Sequence, residues 1–117
     1  MKNTVGSPET ATPSLTIDET RDWLKSGKAV LVDVREQEEF ETEHIDGAVL
    51  VPASAFAPAE VLRQADGRKI VFQCLSGRRA GNAQQIFITA TGQTAWCMIG
   101  SLNGWKEAGL PTIVKKA

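Results

Sequence analysis

The sequence predicts an α/β domain: an open parallel sheet of about five strands with helices on both faces. Three observations lead there. The runs Ala29-Val30-Leu31-Val32-Asp33-Val34 and Lys69-Ile70-Val71-Phe72-Gln73 are continuous and mostly β-branched or aromatic, with no polar alternation. Strands covered on both faces of a parallel sheet read this way. Segments with helical spacing separate the strand-like runs, and parallel neighbours need such crossovers, which are right-handed. The chain is 117 residues long, the size of one domain that buries a core without disulfides.

Taken in order, residues 1–14 are polar and lack the apolar stretch of a signal peptide, so they are expected to form a flexible N-terminal tail before a domain at 15–117. Thr16 and Glu19 form a capping-box pattern that starts a helix running through Trp23 and Leu24 to Gly27. The strand from Ala29 to Val34 follows. Glu36 to Glu43 reads as a short acidic helix with Phe40 facing inward and Glu36, Glu38, Glu39, Glu41 and Glu43 on a solvated face. A brief strand at Ala48-Val49-Leu50-Val51 is stopped by Pro52. Pro58 sets up a helix over Ala59 to Ala65, ended by Gly67. The Lys69–Gln73 strand comes next and delivers Cys74. Ala80, Ala83, Ile86, Phe87 and Ala90 then mark a long helix reaching Thr91. Thr94 to Ile99 reads as a last core strand, and Leu102 to Ala108 as a short helix carrying Trp105. Trp23, Trp96 and Trp105 are expected to be packing residues.

Composition narrows the function. Thirteen basic and fourteen acidic residues leave a net charge of -1, which argues against a dedicated nucleic-acid surface. No apolar run approaches the ~18 residues that span a bilayer. With one histidine and two distant cysteines, no metal-ligand spacing is present, and neither metal nor organic cofactor is implied. Without an export signal a cytoplasmic, reducing setting is expected, with Cys74 a free thiol. Cys97, inside an apolar run, is expected to be buried and inert.

The chemistry concentrates in Cys74-Leu75-Ser76-Gly77-Arg78-Arg79. This segment joins the carboxyl end of a buried strand to the amino end of a long helix, where open α/β sheets bind ligands. A tight loop there turns backbone N–H groups toward one point, and the helix terminus and two arginines add positive charge. A thiolate at that point is favoured over a thiol. The same cradle suits a small oxyanion such as thiosulfate. Cations normally sit at the other end of a helix, so Arg78 and Arg79 suggest an anionic ligand.

These residues resemble the single-domain rhodanese-like, or sulfurtransferase, family over about residues 15–114. Leu31-Val32-Asp33-Val34-Arg35 is similar to its first signature, and Glu39-Phe40 with His44-Ile45-Asp46-Gly47-Ala48 to its second. Cys74 to Arg79 is similar to its active loop, and Gly100-Ser101-Leu102-Asn103-Gly104-Trp105 with Gly109-Leu110-Pro111 to its C-terminal signature. The resemblance implies a rhodanese-like sheet and an enzyme that moves sulfane sulfur through a Cys74 persulfide. Leu75, Ser76, Gly77, Arg78 and Arg79 would bind the substrate. The implied partners are a small anionic sulfur donor, such as thiosulfate or a persulfide, and a thiol, cyanide or protein acceptor. Asp33 and Arg35 are expected to brace the strand end, and His44 to be structural. Glu43 stands where the family usually has Gly, and Ser101 replaces the second Gly of the C-terminal pair. Both are expected to lie outside the loop and to have little bearing on it. Leu75 is apolar where some thiosulfate-active members carry a cation, which leaves the donor open. A non-catalytic or redox-regulatory module is the alternative. The related phosphatases and arsenate reductases carry His before the cysteine and Arg six positions after it, where this chain has Gln73 and Ala80.

Overall fold

The computed structural model describes residues 13–116. Five strands form one parallel sheet: β1 (Ser14–Leu15), β2 (Ala29–Asp33), β4 (Val49–Leu50), β5 (Lys69–Gln73) and β6 (Trp96–Met98). Their spatial order is β1-β6-β5-β2-β4. The two β-branched strands pair at the centre, Ala29 opposite Lys69 through Asp33 opposite Gln73. This matches the fold expected from the sequence.

Alternate residues of the central strands feed two cores. Val30, Val32, Ile70 and Phe72 face α3 (Pro58–Ala65) and α4 (Arg78–Thr91), where Val61, Ala80, Ala83 and Phe87 close the layer. Leu31 and Val71 face the opposite side with α1 (Ile17–Lys25) and α5 (Ser101–Glu107), which supply Leu102 and Trp105. Strands with apolar residues on both faces can be buried only in such a three-layer arrangement. The Phe72 ring sits between Phe56 and Phe87, edge-on to both at 5.8 Å.

Local signals account for the helix boundaries. Thr16 and Glu19 exchange both bonds of the capping box that starts α1. Pro58 opens α3, and Gly92 closes α4 in the left-handed conformation. The ring nitrogen of Trp105 donates to the Pro111 carbonyl at 2.9 Å, which fastens the segment after α5.

Several features differ from the sequence reading. Residues 1–12 of the expected tail lie outside the described residues, and Ser14 already belongs to the edge strand β1. A two-residue strand has no periodicity to detect, and β1 is held by pairing with β6. The strand expected over Thr94–Ile99 is ordered only at Trp96–Met98; Ile99 is exposed. A second, antiparallel pair joins β3 (Glu43–His44) to β7 (Ile113–Val114). The acidic helix, α2 (Gln37–Thr42), is not evenly solvated. Glu36 accepts from the Ser54 backbone, Glu39 pairs with Arg79, and Glu43 with Lys106. Those partners come from distant segments, which periodicity alone does not reveal.

Asp33 and Arg35 form a buried ion pair at the end of β2. Arg35 Nε and Nη2 donate to the Asp33 carboxylate at 3.0 and 2.8 Å, and Nη2 also reaches the Glu43 carbonyl at 2.7 Å. His44 stacks on Phe40 and its Nδ1 meets the Phe40 carbonyl at 2.8 Å, a structural placement. Arg35→Ala is expected to destabilise the fold by about 3–5 kcal/mol, because the buried Asp33 carboxyl loses its counter-charge and keeps only the residue-35 backbone N–H. Urea unfolding followed by circular dichroism measures it, with Arg35→Ala/Asp33→Ala expected to recover part of the loss.

Candidate functional site

The site is built where β5 ends and α4 begins. Gln73 is the last residue of β5, Cys74 follows it, and Gly77 is the residue before the first turn of α4. Gly77 has φ 129°, a conformation closed to most side chains, and offers α4 no side-chain cap. The sulfur of Cys74 takes that place. It accepts from the Gly77 N–H at 3.0 Å and from the Ala80 N–H at 3.4 Å. Two backbone N–H groups at the start of α4 are thus aimed at one sulfur atom. Cys74 is only 1% exposed and lies at the base of the loop, with Leu75 and Ser76 exposed above it.

The loop is held from behind by α5. Leu102 N–H donates to the Cys74 carbonyl and Asn103 N–H to the Leu75 carbonyl, each at 3.0 Å. The side-chain amide of Gln73 donates to the same Cys74 carbonyl at 2.9 Å. Its Oε1 is buried with no partner among the described residues. The Cys74 N–H donates to Ser101 Oγ at 3.1 Å. Loop carbonyls therefore face α5, while the N–H groups of Gly77 and Ala80 face the sulfur.

The two arginines part company. Arg78 is exposed and forms no ion pair among the described residues. Arg79 turns to α2 and grips Glu39 with both terminal nitrogens, at 2.7 and 3.1 Å. That hydrogen-bonded pairing holds the Glu39 carboxyl well below its ordinary 4.5, at about 2. The same pairing, with a smaller contribution from the Cys74 charge, raises Arg79. Beside the loop, Leu75 and Leu102 meet Glu38, Glu39, Thr42 and Lys106 around an open groove of about 340 Å³.

Comparison with known proteins places this geometry. The family model for the rhodanese-like domain matches residues 16–108. The chain belongs to the rhodanese-like family. It is 44% identical over 87 residues to the uncharacterized protein slr1261 of Synechocystis, a match covering 74% of this chain and 48% of that protein. It is 33% identical over 92 residues to a thiosulfate:glutathione sulfurtransferase of Saccharomyces cerevisiae, covering 68% of this chain and 66% of that protein. The chain thus spans about half the length of the cyanobacterial relative. The crystal structure of a thiosulfate sulfurtransferase from Pseudomonas aeruginosa superposes with a TM-score of 0.80 at 24% identity, over 93% of this chain and 21% of that one. That likeness shows the fold.

Within this rhodanese-like domain, the expected loop residues stand together but differ in orientation. Leu75 lines the groove, Gly77 supplies an N–H, and Arg79 is engaged by Glu39. Three contributors were not singled out from the sequence as part of the loop's surroundings: the Ala80 N–H, Glu39 and Ser101. Ser101, expected to have little bearing on the loop, lies directly behind Cys74. Glu39 was marked by the family signature but not its pairing. Cys97 is half-buried rather than fully buried; burial, with Cys74 nearby, pushes its thiol up to about 12, and it donates to Gln84 Oε1 at 3.0 Å. Both cysteines are free. Among the described residues, no helix is long and apolar enough to cross a membrane.

Because the folded Glu39 value lies below its unfolded one, its contribution is full above about pH 4.5 and is lost as pH falls toward about 2. Both partners are about one-third exposed, so solvent screening keeps the pair within about 1 kcal/mol. Glu39→Gln is therefore expected to unfold at lower urea than the wild type at pH 6, the gap closing toward pH 2.

Proposed function

We propose that this domain is a sulfurtransferase that carries sulfane sulfur on Cys74. The observation that best supports this reading is the convergence of two backbone N–H groups on a buried cysteine sulfur at the start of α4. Such a cradle stabilises a thiolate without a general base, and afterwards a persulfide anion or the departing oxyanion. The sulfurtransferase name of the yeast relative agrees with it.

The reaction is a double displacement. The Cys74 thiolate attacks the outer sulfur of thiosulfate or of a persulfide donor. A new S–S bond forms as the donor's S–S bond breaks, and sulfite or a thiolate leaves with the electron pair. An acceptor nucleophile, a thiol or cyanide, then attacks the terminal sulfur of the Cys74 persulfide. The Cys74 thiolate departs with its electrons and is ready for another cycle. No net oxidation occurs, and the reaction asks for neither metal nor organic cofactor.

Leu75, Ser76, Gly77, Arg78 and Arg79 form the substrate-binding loop in this reading. Arg78, exposed and free of ion pairs among the described residues, draws in the anionic donor. Leu75 and the groove beside it receive the acceptor, which extends from a small thiol to a cysteine on a protein. A reducing compartment such as the cytoplasm keeps Cys74 free for this chemistry.

Incubation with thiosulfate is expected to add one sulfur, about 32 Da, to the intact protein by mass spectrometry, as persulfidation does. Cys74→Ser should abolish the addition and Cys97→Ser should leave it in place. If a panel of thiosulfate and persulfide donors leaves the mass unchanged, the reading is wrong. Hydrolysis of an aryl phosphate that depends on Cys74 would point to phosphoryl transfer instead. Partner binding untouched by Cys74→Ser would point to a regulatory module.

A further inference from the structure

Ser101 is held in a conformation that its residue type disfavours. Its φ is 52°, in the left-handed region, directly after Gly100 at φ 85°. Apart from Asp66 at a helix end, it is the one non-glycine described residue with positive φ. Glycine would occupy this position without strain. A side chain kept against backbone preference at a completely buried position calls for a local reason.

The hydroxyl supplies one. Ser101 Oγ accepts the Cys74 N–H at 3.1 Å and lies 4.0 Å from Cys74 Sγ. A hydroxyl has one proton to donate. With the oxygen engaged as acceptor, that proton is directed at the sulfur, the other polar atom within its reach among the described residues. The Cys74 sulfur thereby sees a third donor besides the Gly77 and Ala80 N–H groups. Its backbone is fixed by the same serine.

We propose that Ser101 is a positioning residue for the Cys74 nucleophile, fixing the cysteine backbone through its oxygen and stabilising the thiolate through its proton. This rests on Cys74 being the working nucleophile. Hydrogen bonds to a charged acceptor are shorter and stronger than those to a neutral one, so the hydroxyl interacts best with a charged sulfur. On persulfide formation the charge moves to the outer sulfur, and the Ser101 proton is left facing a neutral one. Ser101 therefore favours the thiolate over the persulfide and promotes release of the terminal sulfur to the acceptor.

The test is the pH profile of Cys74 alkylation by iodoacetamide in the full chain, read in Cys97→Ser background so that one thiol reports. Ser101→Gly relieves the positive φ and removes the hydroxyl; Ser101→Ala keeps the φ and removes the hydroxyl. Both are expected to move the profile to higher pH and to slow alkylation at pH 7 by roughly threefold, the scale of one lost hydrogen bond partly offset by the greater nucleophilicity of a more basic thiolate. A loosened loop would instead leave the midpoint in place. A midpoint unmoved, or moved to lower pH, in both variants overturns the proposal. Alkylation reads the thiol alone, so this outcome stands apart from the sulfur-loading result that tests the transferase reading. In a coupled assay the same variants should lower the rate of sulfur release from preloaded protein; an unchanged release rate would overturn the second half of the role.

Discussion

The arrangement around Cys74 depends on one constraint: each polar group buried beneath a tight turn needs a partner. Between β5 and α4 the chain has to reverse within four residues, leaving carbonyls on one side and N–H groups on the other. The carbonyls of Cys74 and Leu75 are taken by the amino end of α5. The N–H groups of Gly77 and Ala80 are taken by the sulfur. Satisfying the backbone and building the site are the same act, since an unpaired buried amide costs about 1–3 kcal/mol. The cysteine here caps α4, and in the proposed transferase the same helix start carries the chemistry without a dedicated side-chain base.

Charge is organised around this turn in two tiers. The inner pair, Asp33 and Arg35, is buried and fixes the end of β2 to the strand that follows α2. The outer pair, Glu39 and Arg79, ties α2 to the first turn of α4. Together they draw the acidic helix against the Cys74 loop, so that α2 forms one wall of the groove beside Leu75. The outer pair is weak by itself because solvent screens it. Its value is geometric: it decides which of the two arginines faces solvent and which is committed to the protein.

The central features were readable from the chain because they rest on local rules. Ala29–Asp33 and Lys69–Gln73 declare buried strands through uninterrupted apolar β-branched content, and Thr16 with Glu19 declares a helix start through reciprocal bonding. The loop was readable because its cysteine, glycine and arginines occupy adjacent positions. Features made by distant pairing were not. Ser14 gains strand character only from Cys97, and Glu43 only from Val114. Ser101 is 27 residues from the cysteine it touches, and no spacing rule connects them. Its one visible mark was a serine in a place where glycine is the easy choice.

The dependence of the loop on α5 has a consequence for how the protein comes to be. A growing chain contains Cys74 well before it contains Ser101, Leu102 and Asn103, so the sulfur at first sits on a strand end with nothing behind it. Its carbonyls have only water to bond, and its N–H groups have no enforced direction. The cradle takes shape when α5 docks, which also buries Leu102 and Trp105 beneath the sheet. Completion of the cysteine's surroundings and of the hydrophobic core are thus a single event. In a nascent chain the sulfur lacks these neighbours, so the sulfur chemistry proposed for it belongs only to molecules that have finished folding.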